Sequence, residues 1–135
     1  MLQLFSSRVF LLFTSMLFMY SCANRVSPTG GDKDVKPPVA KQFSPTNYST
    51  RFTAKKIVID FDELIQLKDI QKQLISSPLV EPEPKISIHK KSLIIHLPDS
   101  LKPNTTYTFN FGDAVADLNE GNSITDFQYV FSTGA

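Results

Sequence analysis

The feature that most constrains this chain is a two-residue alternation of apolar and polar side chains, which recurs in five short segments. Residues 56–61 read KIVIDF, with Ile57, Ile59 and Phe61 on one parity and Lys56, Val58 and Asp60 on the other. Ile86 and Ile88 alternate with Ser87 and His89, and Leu93, Ile95 and Leu97 alternate with Ile94 and His96. Tyr107, Phe109 and Phe111 alternate with Thr106, Thr108 and Asn110, and Phe127, Tyr129 and Phe131 with Gln128, Val130 and Ser132. Successive side chains of a strand point to opposite faces, so each segment offers one face to a core and one to solvent.

Pro, Asn and Gly punctuate the intervals. Ser44-Pro45-Thr46-Asn47 closes a short extended stretch at 39–43, and Leu101-Lys102-Pro103-Asn104-Thr105 turns the chain before Tyr107. Nine prolines, eleven Phe and no Trp fit strands and turns better than long helices. About seven short strands, with a turn signal every 8–12 residues or so, is the profile of an immunoglobulin-like antiparallel sandwich, and all-β is the fold class expected. Tyr107 follows a turn at the start of a late strand, the position of a tyrosine corner.

Residues 85–97 read as a hairpin. A two-residue turn at Lys90-Lys91 sets Ile88 against Leu93 and Ile86 against Ile95. Lys-Lys is a poor type I′ turn, which leaves a longer loop as the alternative. Residues 64–74 alone have helix-like spacing, with Leu64, Leu67, Ile70 and Leu74 available as one helical face. They read as a short helical turn or irregular crossover into an extended 73–78.

The first 21 residues read as an export signal. One positive charge, Arg8, precedes residues 9–20, VFLLFTSMLFMY, an uncharged run too short for a bilayer, which needs about 20 apolar residues. The sole cysteine, Cys22, follows Ser21 directly, so no internal disulfide can form. The alternative is an incidental cysteine at the end of an uncleaved helix. Residues 23–38, ANRVSPTGGDKDVKPP, have no apolar period and read as a flexible linker. Gly30-Gly31 is not a phosphate loop, because no lysine follows at the P-loop spacing and no strand precedes it.

Two resemblances follow from these residues. Met19-Tyr20-Ser21-Cys22 resembles the lipobox of bacterial lipoproteins, and the Ser27–Gly31 stretch with Asp32 and Asp34 looks like the opening of exported lipoproteins in the Bacteroidetes group. The resemblance implies cleavage between Ser21 and Cys22, a diacylglyceryl thioether and palmitate-type acylation on Cys22, and anchoring by several acyl chains in the outer membrane, facing periplasm or exterior. Residues 37–134 resemble the SbsA-type bacterial Ig-like domain. The resemblance is carried by Pro37-Pro38-Val39, Ser44-Pro45, the strand from Ile57 to Glu63, Leu101 to Thr108, Asp117 with Gly121-Asn122, and Phe131-Ser132-Thr133-Gly134. Its implied layout is a signal peptide at 1–21, a lipidated Cys22 with linker at 22–38, and an Ig-like domain at 39–135. The implied role is non-catalytic: structural, spacer, adhesion or partner binding in the cell envelope. In related lipoproteins further β domains follow, so the chain also reads as the N-terminal part of a larger envelope lipoprotein.

Charge supplies no nucleic-acid or membrane-surface argument. There are 14 basic and 13 acidic residues, and loss of Arg8 with the leader would balance them. Asp113, Asp117, Asn119 and Glu120 place four oxygen-bearing side chains together, the chemistry a hard cation such as Ca²⁺ takes, though a solvated loop explains them equally. Asp60, Asp62 and Glu63 supply carboxylates without a convergent partner, so no catalytic residue is assigned. His89 and His96 share the polar face of the hairpin without facing one another, which is poor metal geometry; no metal or other cofactor is expected. Asp99-Ser100-Leu101 looks like the O-glycosylation acceptor triplet of Bacteroidetes, with Ser100 the acceptor, and reads equally as a turn. A carbohydrate-binding lipoprotein is the rival function, and Tyr48 and Phe52 are the loop aromatics available for it.

Overall fold

A computed structural model describes residues 30–135. One compact unit spans Lys33–Ala135; of the other, Met1–Asp32, only residues 30–32 fall in the described range. The expected signal peptide, Ser21 and Cys22 lie outside the described residues.

Nine strands and one helical turn make up the domain: β1 (Ala40–Ser44), β2 (Lys56–Phe61), β3 (Ile65–Leu67), α1 (Ile70–Gln73), β4 (Ile75–Ser77), β5 (Lys85–His89), β6 (Ser92–His96), β7 (Thr106–Asn110), β8 (Val115–Asp117) and β9 (Gln128–Ser132). One sheet has the order β1-β2-β6-β5 and the other β4-β7-β9, while β3 and β8 form a separate ribbon. Every strand pair is antiparallel. With the ribbon set aside, the seven remaining strands follow the two-sheet order of a constant-type immunoglobulin domain, four strands against three.

The alternation seen in the sequence becomes the core. Ile57, Ile59 and Phe61 of β2 and Leu93 and Ile95 of β6 are buried from the first sheet; Tyr107, Phe109, Tyr129 and Phe131 are buried from the second. Register pairs like with like: Ile57 lies beside Ile95, and Tyr107 beside Phe131. Phe131 is the aromatic centre. Its ring lies 4.1 Å from Phe52, in close contact, and 5.4 Å from Tyr107 and 5.7 Å from Phe109, the latter two within the range in which aromatic pairs attract beyond their buried area.

Two backbone devices hold the sandwich in register. The Tyr107 hydroxyl accepts the backbone N–H of Lys102 at 2.9 Å, which forms the expected tyrosine corner at the start of β7. Residues 47–52 run along the free side of β9. Tyr48 N–H donates to the Val130 carbonyl, Ser132 N–H to Ser49, and Phe52 N–H to Ser132. Asn47 anchors this segment by accepting the N–H of Val130 at 2.8 Å. The hydrogen bonds of β9 are thereby used on both sides, which removes one sheet edge.

The expected short helical turn within 64–74 is present as α1 and leads into the extended β4; a single helical face over the whole stretch does not form, since Leu64 is 41% exposed and β3 pairs with β8 as Ile65 opposite Asp117. A short isolated helix is marginal, whereas the ribbon satisfies the same backbone and buries Ile65. The hairpin loop is the two-residue one: His89 faces Ser92, with Lys90 at φ 56. The cross-strand apolar pairs set this register despite the poor turn sequence.

Candidate functional site

Asp117 is the one buried charged side chain among the described residues. It ends β8, and three backbone N–H groups of the following loop point at it. Glu120 and Gly121 donate to Oδ1 at 2.6 and 2.9 Å, and Asn122 donates to Oδ2 at 2.8 Å. Burial pushes its pKa up, but the N–H groups of Gly121, Glu120 and Asn122 outweigh that, and the group is held below the ordinary carboxylate value. Gly121 has φ +77, a left-handed conformation that lets its N–H reach back to the carboxylate.

Asp117 therefore acts as the staple of the 117–122 loop. The other members of the expected oxygen cluster do not join it: Asp113, Asn119 and Glu120 are exposed, and the Asp113 N–H is taken by Gln73 Oε1 at 2.7 Å. Among the described residues no three His, Cys, Asp or Glu side chains gather as a metal site.

The loop also grips the incoming chain. Asn122 Nδ2 donates to the carbonyl of Asp34 at 3.1 Å, and Asp62 Oδ1 accepts the N–H of Val39 at 2.8 Å. The Val39 N–H, ahead of the Lys41 ammonium, holds Asp62 below its usual pKa. Residues 34–38, read from sequence as linker, thus lie against the domain. Glu63 sits where these segments meet. Burial raises its pKa, and Asp117, Asp62, Asp34 and Glu120 raise it further.

The remaining candidates are dispersed. Asp60 accepts the Ser92 hydroxyl within the first sheet. His89 and His96 are exposed on the outer sheet face and pair with Ser92 and Lys85, not with each other. Ser100 is exposed and its hydroxyl donates to the Glu81 carbonyl; Asp99 pairs with Lys55. Tyr48 is 73% exposed, but Phe52 is buried against Phe131, so the two cannot form an aromatic platform. Sequence reading placed Phe52 in a loop because it lies outside any alternating run; its burial depends on residues 47–52 pairing with β9.

A groove of about 360 Å³ opens between the edge strands β4 and β5, lined by Ile70, Leu74, Ile75, Leu79, Pro84 and Ile86. Its hydroxyl, on Ser76, accepts the N–H of Val80 at 3.1 Å, and Glu83 is the lone carboxylate there. The arrangement is a two-sheet body with an apolar groove between its edge strands.

Residues 34–133 match the family described as bacterial Ig-like domain. The fold is also similar to the crystal structure of PcoC, a methionine-rich copper resistance protein from Escherichia coli, at 22% identity and a TM-score of 0.45, over 70% of this chain and 96% of that one. No curated protein matches the sequence.

Proposed function

The chain belongs to the bacterial Ig-like domain family, and from that premise we propose that it is a lipid-anchored envelope protein whose domain serves as a non-catalytic spacer and binding module. The observation that carries the anchor is the position of the only cysteine. Cys22 stands directly after Ser21 at the end of a twelve-residue uncharged run. Cleavage before Cys22 and acylation of its thiol and new amino group supply more than one acyl chain, which anchors a protein stably where one chain is marginal. The Gly- and Pro-containing residues after it give the domain reach from the headgroups.

The binding role is supported by what the domain holds: a packed core, a loop stapled by Asp117, and no convergent polar pocket in the groove. Placement in the outer membrane rests on the likeness of the N-terminal residues to Bacteroidetes lipoproteins.

Intact mass and detergent partitioning of the full chain expressed in a bacterial host test this reading. The expected wild type has lost residues 1–21, gained acyl mass and entered the detergent phase, while Cys22→Ser has done none of these. A wild-type chain without acyl mass overturns the anchor.

A further inference from the structure

β2, β6 and β5 lie side by side, and their registers align Lys56 with His96 and His96 with Lys85. The adjoining Ile57, Ile95 and Ile86 face the core, so these three side chains stand together on the outer face, and all are exposed. Directly opposed residues on neighbouring strands have Cβ atoms about 4.5–5.5 Å apart, so each lysine flanks the His96 ring. Among the described residues neither lysine forms an ion pair. The ion pairs among the described residues join Lys41 to Asp62 and Lys55 to Asp99. Glu83, two residues before Lys85, lines the groove beside β4.

The next row on the same face is Ser87, Ile94, Val58 and Ser44. Two hydroxyls there flank two partly buried aliphatic side chains. The surface thus combines two lysines on the outer strands of a three-strand row, about 10 Å apart, with the His96 ring between them, a small apolar strip and hydroxyl partners.

We propose that the Lys56–His96–Lys85 row is a binding surface for an acidic polysaccharide. Carboxylates repeated along one chain can reach both lysines at once, sugar ring faces suit Ile94 and Val58, and ring hydroxyls suit Ser87 and Ser44. The tethering membrane is a poorer fit, because phosphate headgroups would meet the lysines but offer no ring face to Ile94 and Val58. The proposal names the partner class for the binding-module reading and rests on that reading. It does not require lipidation, so failure of the mass and partitioning test leaves it standing, and its own failure leaves the anchor untouched.

The test uses the full chain in non-ionic detergent, with binding measured to immobilised alginate, to neutral dextran, and to mixed micelles containing phosphatidylglycerol. Two variants of equal charge change are compared: Lys56→Glu/Lys85→Glu in the row, and Lys90→Glu/Lys91→Glu in the hairpin turn. Wild type is expected to bind alginate and not dextran. Loss of two exposed charge contacts should weaken this about tenfold in the row variant, with the turn variant close to wild type. Lys56→Gln/Lys85→Gln, checked by thermal unfolding, should reproduce the loss without charge reversal. No alginate binding, equal losses in both charge-reversal variants, or preference for phosphatidylglycerol micelles each overturns the proposal.

Discussion

Tyr107→Phe removes one oxygen and leaves the ring in place. The ring is buried against Phe131, and its hydroxyl accepts the Lys102 N–H at 2.9 Å. A phenylalanine there keeps the apolar burial and strands an N–H that has one proton and no second partner in the corner. An unmade hydrogen bond of this kind costs about 1–3 kcal/mol, and the partly exposed setting of the corner points to about 1.5 kcal/mol. For a domain of about 100 residues that lowers Tm by about 7 °C.

Tyr129→Phe provides the comparison. Its hydroxyl donates to the Pro45 carbonyl at 2.9 Å, and a carbonyl left with water or a second lone pair tolerates the loss better than an N–H does. The expected cost is about 0.5–1 kcal/mol. Thermal unfolding gives the order of the two losses, and amide hydrogen exchange reads the corner directly. In Tyr107→Phe the Lys102 amide should lose its protection while those in β2 and β6 keep theirs. Unchanged Lys102 exchange, or a larger loss in Tyr129→Phe, would refute the corner as a stabilising device.

Phe131→Ala should cost about 3–5 kcal/mol, a large part of the 5–15 kcal/mol or so typical of a domain, so denaturant unfolding should show a greatly lowered midpoint or no cooperative transition. Asp117 has a lowered pKa in the folded state, so its contribution is present above the unfolded value of 3.8 and is lost as pH falls through the folded value. Asp117→Asn should therefore destabilise at neutral pH, with the gap to wild type closing in acid. Glu63 has the opposite sign. Its folded pKa is raised, so the stability it lends in acid is lost as pH rises from the unfolded value of 4.5 through the folded one. Glu63→Gln should raise stability at neutral pH and leave it unchanged well below that value; a loss at neutral pH would contradict the crowding of carboxylates around it.

The two-residue alternation was enough to place β2, β5, β6, β7 and β9, because an apolar parity of this kind can be satisfied only by a strand with one buried face. It also gave the hairpin register, since a slip of one residue would turn Ile86 and Ile88 out to solvent. The short strands β3, β4 and β8 carry no such signal. Three residues are too few to show a period, and β8 is buried throughout. Likewise Asp117 read as one oxygen among four, because the N–H groups that occupy it belong to backbone, which sequence does not display.

By itself, then, the sequence determined the strand faces, the aromatic core, the tyrosine at the corner and the placing of the only cysteine after an apolar run. Each is a local property of spacing and residue type. Tertiary structure decided which strands are neighbours. It laid residues 47–52 along β9 and so buried Phe52, it turned the acidic loop inward around Asp117, and it set β2 against β6 so that Lys56 joined His96 and Lys85. Those juxtapositions join residues dozens of positions apart, and they are fixed by how two sheets close over one core, which no local pattern encodes.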